Sequence, residues 1–184
     1  MVAVSDVATL VRIRPWLPGD DLLLAAIGDG LSPASLYTRF LTGTPSLPRG
    51  YLRYVANAPR SRWDAVVGLI GGSVVGWAEA ARLSDGGPDA ELAVVVVDAW
   101  QRRGIGATLA RRLAQHSLAA GVTTLHAEVL AENLPSNRLV RSLAGPSLSV
   151  TREGSLMHYR LPLVEGLQVA RRHPVLQSVG DRSA

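Results

Sequence analysis

The run Glu91-Leu-Ala-Val-Val-Val-Val-Asp-Ala-Trp-Gln-Arg-Arg-Gly-Ile-Gly-Ala107 joins a strand, a glycine-bearing turn and the start of a helix in one segment. Ala90 to Val97 is apolar at every position but Glu91, as expected of a strand at the centre of a covered sheet. Gly104 to Ala120 follows with Ile105, Leu109, Ala110, Leu113, Ala114 and Leu118 on a broad apolar arc and Thr108, Arg111 and Gln115 opposite, which is helical spacing. Gly121 ends that helix. The first turn of a helix leaves its N–H groups without intrahelical partners, and the helix dipole adds favourable potential for negative charge. Gly104 and Gly106 remove side chains at that point, and Arg102 and Arg103 stand beside it, so the turn suits a pyrophosphate. It is not a nucleotide P-loop, which needs a lysine after its second glycine. The dinucleotide fingerprint fails too, because position 109 is Leu and the segment follows an antiparallel hairpin.

Working outward, Val11 to Arg14 reads as a short strand ending at Pro15. Pro18-Gly19-Asp20-Asp21 opens a helix through Leu22 to Ile27, with acidic residues at its positive end and Gly28 and Gly30 closing it. Ser32-Pro33 starts a second helix through Phe40, serine capping and proline in the first turn, and a third spans about Pro48 to Ala56. Trp63 to Ile70 and Val74 to Arg82 are strands joined by the hairpin signal Gly71-Gly72-Ser73. Ser84 to Pro88 is a loop. Thr123 to Leu130 is a strand, Asn133 to Leu143 a short helix stopped by Gly145-Pro146, and Val150 to Arg152 with Leu156 to Leu161 a last hairpin around Gly154-Ser155. Glu165 to Ala184 has no sustained period and reads as a loosely attached tail. The expectation is one α/β (α+β) domain over residues 1–164 and a tail over 165–184.

Composition narrows the chemistry. The chain has 184 residues, 47% hydrophobic and 18% charged, the balance of a protein that buries a core. All 19 basic residues are arginine; there is no lysine, and no cysteine. Disulfides, thiol nucleophiles and Cys-ligated metals are thereby excluded, and four scattered histidines lack metal-ligand spacing, so no metal is expected. The arginines are dispersed and aromatics are only 5%, which speaks against nucleic acid as a partner. The longest clean apolar run, Leu92 to Val97, is far short of the roughly 20 residues a membrane helix needs. An N-terminus without basic residues before its apolar positions predicts a cytoplasmic protein.

Gln101-Arg-Arg-Gly-Ile-Gly106 resembles the acetyl-CoA loop, Gln/Arg-x-x-Gly-x-Gly/Ala, of the GNAT superfamily of N-acetyltransferases, and the resemblance extends from Val11 to Leu161. Asn133-Leu-Pro-Ser136 with Leu139 is similar to the family's Asn-x-x-Ala/Ser-x-x-Leu helix beside the cofactor thiol. Leu31-Ser-Pro-Ala-Ser-Leu-Tyr-Thr-Arg-Phe40 resembles a segment of the Pat-type bacterial protein lysine acetyltransferases. The resemblance implies a mixed, mostly antiparallel sheet, splayed at its centre, with helices on both faces. Acetyl-CoA is the implied co-substrate, its pantetheine arm lying in the splay. Backbone groups of Val95, Val96 and Val97 would pair with the arm, and the amides of Arg102, Arg103, Gly104, Ile105, Gly106 and Ala107, led by Gln101, would hold the pyrophosphate. Asn133 and Ser136 would lie near the thiol.

The implied reaction is transfer of an acetyl group to a primary amine, with protein lysine favoured over a small amine such as an aminoglycoside, polyamine or amino acid. A non-catalytic acyl-CoA sensor is the reading from another class, and the oligomeric state, a homodimer included, stays open. An alkylammonium has no lone pair at neutral pH, so a base is required. Glu91, at the start of the cofactor strand, is the candidate, with an apolar setting expected to raise its pKa; Glu79 is the reserve, and Asp98 is expected to cap the turn. A tyrosine that many family members carry after the helix leucine is Val140 here. His116 reads as structural, His126 and His158 have no partner by spacing, and Tyr37 and Phe40 stand three apart as pocket lining or core.

Overall fold

Gly71 and Gly72 both take positive φ, 58° and 85°, and so close the tight hairpin that pairs β2 (Trp63–Ile70) with β3 (Ser73–Arg82). β4 (Asp89–Val96) lies antiparallel on the other edge of β3, and β1 (Arg12–Pro15) antiparallel outside β2. β5 (Thr124–Leu130) is parallel to β4, and the hairpin of β6 (Ser149–Glu153) and β7 (Leu156–Pro162) completes the sheet through β7. The order is β1-β2-β3-β4-β5-β7-β6. This computed structural model describes residues 10–143 and 146–163. The expected boundary at residue 164, the tail after it and the stop at Gly145 lie outside the described residues.

Five α-helices cover the sheet among those residues: α1 (Asp20–Ala26), α2 (Pro33–Phe40), α3 (Arg49–Asn57), α4 (Ile105–Ala119) and α5 (Leu134–Leu143). Their starts follow the local chemistry. The Ser32 hydroxyl accepts the Ser35 N–H at 3.2 Å with Pro33 in the first turn, and Asn133 Oδ1 accepts the Ser136 N–H at 3.2 Å ahead of α5. Asp20 does more than face the dipole of α1. It is buried, takes both Arg14 guanidinium nitrogens at 2.6 and 2.8 Å and the Leu17 N–H at 2.7 Å, and so pins β1 to the helix. Two elements were not expected, 3₁₀ turns over Gly28–Gly30 after α1 and over Asp98–Trp100 between β4 and the glycine turn.

α4 and α5 pack on one face, where Ile105, Leu109 and Leu113 meet Val75, Ala78, Leu125 and Tyr159. Complete burial of a leucine such as Leu109 contributes roughly 1.5–3 kcal/mol over leaving it exposed. The other face is covered only over β1 to β4, where Leu24, Leu36 and Val55 pack on Trp63, Val67, Trp77 and Val95. Beyond that the same face is open, with Glu91, Glu128, Arg160, Thr151 and Glu153 exposed. β4 is therefore not covered on both faces along its length, as its apolar sequence suggests; its Glu91 end is bare. Among the described residues no helix is long and apolar enough to cross a membrane.

Candidate active site

β4 and β5 pair only at Asp89–Glu91 with Thr124–His126. Past Glu91 the strands part, which gives the central splay the motifs imply. The backbone facing that gap follows from the ladder with β3. Val97 N–H donates to Val75 O at 2.9 Å, so hydrogen-bonded pairs alternate back along β4 through Val95 opposite Trp77. Val95 and Val97 were expected to offer their backbone to the pantetheine arm; Val95 and the Val97 N–H turn to β3 instead, and the Val97 carbonyl accepts from the Trp100 N–H at 2.8 Å. Val94 and Val96 face the gap, Val96 as expected and Val94 in place of its neighbours. Only the parity of the register decides this.

At the far end of the gap Gln101 Nε2 donates to Val96 O, Ser35 Oγ and Asp98 Oδ1, each at 3.0 Å. Asp98 also accepts the Ser35 hydroxyl at 2.7 Å and the Ser32 N–H at 3.1 Å. Burial pushes the Asp98 carboxyl up, but the bonds from Ser32 and Ser35 outweigh it and hold it below the ordinary 3.8. Asp98 thus ties α2 to the turn, a larger role than capping. It also explains why serines stand at 32 and 35.

Gly104 sits at φ 81° as the residue before α4, and Arg102 is at φ 60°. Thr108 N–H is bonded back to Gly104 O, so the N–H groups of Ile105, Gly106 and Ala107 precede the intrahelical ladder. Ile105 offers only its backbone, because its side chain is buried in the core. Arg102 and Arg103 are exposed, Arg103 stacked 5.3 Å over the Trp100 ring. A Cβ at Gly106 would lie 3.0 Å from Leu139 Cδ1 and within 3.7 Å of Val94 and Val96, so this glycine keeps the cradle between β4 and α5 open. Asn133 caps α5, its Oδ1 accepting the Ser136 N–H. Asn137, which sequence reasoning passed over, is the anchor there: its amide donates to Leu130 O and Asn133 O at 2.9 Å, and the buried Tyr159 hydroxyl donates to its Oδ1 at 2.6 Å. Val140 is core.

The two candidate bases separate clearly. Glu79 is 4% exposed and fully engaged, paired with Arg39 and accepting from the Tyr51 hydroxyl at 2.6 Å and Trp63 Nε1 at 3.1 Å. Burial, then the Glu79 charge, pushes the Tyr51 phenol well above its ordinary 10.0, so it stays a donor. Arg39 lies over the Phe40 and Tyr51 rings, and those rings meet edge-on at 5.2 Å. Glu79 is a structural group and leaves the list of bases. Phe40 belongs to this cluster as core, whereas Tyr37 is 45% exposed. Glu91 is exposed at the point where β4 leaves β5, without the apolar surroundings its strand suggested. His116 Nε2 lies 2.7 Å from Asp64 Oδ2. His126 and His158 do have partners: Asp89 at 3.2 Å for the first, Glu128 at 3.2 Å for the second.

The model of the acetyltransferase (GNAT) family matches residues 34–145, more than half of the chain. The chain belongs to the GNAT family of acetyltransferases. Among solved structures, the GNAT domain of S. lividans PAT is 23% identical with a TM-score of 0.74, covering 83% of this chain and 90% of that one. The putative acetyltransferase yncA of Salmonella typhimurium, solved with acetyl-CoA, is 26% identical at TM-score 0.67, covering 85% and 95%. A cAMP-binding acyltransferase from Mycobacterium smegmatis is 25% identical at TM-score 0.58, and the match spans 44% of that longer chain. Among curated protein sequences none matches. Acetyl-CoA, the co-substrate of this GNAT chain, fits the groups present: a strand edge open at Val94 and the Val96 N–H, a cradle kept clear at Gly106, and, among the described residues, unpaired amides beside two exposed arginines.

Proposed function

We propose that this GNAT protein acetylates a primary amine, protein lysine before small amines, with Glu91 accepting the amine's proton. The observation that carries the reading is the place of Glu91, exposed at the apex of the splay on the uncovered face of the sheet. Acetyl-CoA supplies the acyl group as an activated thioester. Arg102 and Arg103 with the amides of Ile105 to Ala107 would hold its pyrophosphate, and the Val94 and Val96 edge would orient its arm. The lysine ammonium must lose a proton before its nitrogen can attack. Glu91 Oε attracts the cation and takes that proton, while Asn133, Asn137 and Ser136 fix the helix that walls the gap. An open face, where α1 to α3 do not reach, leaves room for a lysine carried on a polypeptide.

A small polycation is the second reading, supported by Asp89, Glu91, Glu128 and Glu153 on that face. Labelled acetyl-CoA offered with an amine panel and with cell lysate separates the two. The expected result is acetyl-lysine bands that vanish with Glu91→Gln, a loss of about 10²- to 10⁴-fold in turnover with acetyl-CoA affinity kept. Rapid thiol release with a small amine and no bands would replace the protein acceptor. Unchanged turnover in Glu91→Gln would remove Glu91 from the mechanism.

A further inference from the structure

We infer that His126, held by Asp89 next to Glu91, is a second proton acceptor for the amine. The inference rests on the proposed acetyl transfer at Glu91. It starts from register: Glu91 and His126 are direct partners on the parallel strands β4 and β5, the last pair before the strands part. Partners in register point to the same face, here the open one, since Ala90 and Leu92 beside Glu91 and Leu125 and Ala127 beside His126 all lie in the opposite core. Both groups therefore stand at the apex of the splay, where the acceptor nitrogen must arrive.

The imidazole is oriented. His126 Nε2 lies 3.2 Å from Asp89 Oδ1, one position pair back on β4, and a carboxylate only accepts, so in the neutral ring Nε2 carries the hydrogen and Nδ1 keeps its lone pair. The bond from His126 keeps the Asp89 carboxyl below the ordinary 3.8 although desolvation opposes this. The other charged or titratable groups facing His126 are Glu91 on β4, Glu128 on its own strand, and Arg160 and His158 on β7, Arg160 being its register partner. Glu128 is engaged by His158 at 3.2 Å, and a guanidinium offers no acceptor. Among the described residues, Nδ1 of His126 and the carboxylate of Glu91 are the apex acceptors that no other side chain engages.

Two protons leave the acceptor nitrogen, and a second acceptor at the apex would take one of them. In going from ammonium to amide the acceptor nitrogen sheds two protons, one to expose its lone pair and one as the C–N bond forms. The C–S bond breaks with its electron pair going to sulfur. One of the two protons ends on that sulfur and the other in solvent, so the balance closes without a further reactant. Val140 stands where many relatives have tyrosine, so in this proposal the His126 imidazolium that has taken a proton is the group that returns it to sulfur.

The test uses the full-length protein and the amine and acetyl-CoA on which it turns over. His126→Gln keeps a donor for Asp89 but cannot take up a proton. It is expected to lower kcat by about 10- to 100-fold, with KM for both substrates held and the acid limb of the kcat profile changed. Asp89→Asn should move that limb to lower pH, because the imidazolium loses its anion. Independently of activity, ¹⁵N shifts of the His126 ring in the free protein should show the Nε2–H tautomer in wild type. A hydrogen on Nδ1, or a His126→Gln profile identical to wild type while Glu91→Gln is impaired, overturns the inference and leaves Glu91 as the base. A wild type that transfers no acetyl group, with the Nε2–H tautomer seen, overturns the proposed function instead and takes the inference with it.

Discussion

Replacing Arg39 by Met tests the ion pair that takes Glu79 out of catalysis. The substitution keeps much of the side chain's length and its contact with Phe40 and Tyr51, but strips the charge from beside a carboxylate that is 4% exposed. Glu79 would keep two donors, Tyr51 and Trp63, and lose its countercharge. Leaving a buried charge without its partner costs about 3–5 kcal/mol, and since the Arg39 side chain is itself 17% exposed the lower end applies. For a chain of this size about 3 kcal/mol corresponds to a drop of roughly 6–12 °C in Tm. Urea unfolding followed by circular dichroism gives the loss directly. The double variant Arg39→Met with Glu79→Gln removes both charges and should recover a large part of it, so the two changes are strongly non-additive. Glu79→Gln alone should keep its turnover per folded molecule. A loss under about 1 kcal/mol for Arg39→Met, with additive behaviour in the double variant, would refute the pairing and return Glu79 to the candidate bases.

Three further outcomes follow from other parts of the chain. Arg102→Ala with Arg103→Ala should weaken acetyl-CoA binding about 5- to 10-fold at low ionic strength and less at high salt, read by calorimetry, and a loss independent of salt would contradict a screened charge contact. At Asp20 burial raises the carboxyl pKa, but the Arg14 and Leu17 bonds outweigh it and hold it below 3.8 in the folded state, so its stabilisation is present above 3.8 and is lost as pH falls through the lower folded value; urea midpoints from neutral pH down to about pH 2 should fall in wild type more than in Asp20→Asn. Because the chain has no lysine, incubation with acetyl-CoA alone should leave its intact mass unchanged or one acetyl group higher at the α-amino group, and any further acetylation would show that other side chains react.

The elements of this protein are written locally. Gly71-Gly72, Ser32-Pro33, Gly104 and the apolar arc from Ile105 to Leu118 set turns, caps and faces through neighbours within four residues, and the structure places those elements within a residue or two of where the sequence puts them. The glycine turn and the Asn133 cap were legible for the same reason, since both depend on backbone groups a few positions away. What the sequence could not carry is parity and partnership across the sheet. Whether Val95 or Val94 faces the splay depends on which edge of β4 meets β3, a choice that period-two alternation leaves undetermined until the strands pair. Glu91 and Glu79 look alike along the chain, yet helices α2 and α3 bury one against Arg39 and Tyr51 while the other lies past the edge of that cover. His126 acquires Asp89 and Glu91 as neighbours only when β5, more than thirty residues on, docks parallel to β4. Burial, ion pairing and the direction of a backbone hydrogen bond are properties of pairs distant in sequence, so the tertiary structure alone decided which carboxylate is free to act.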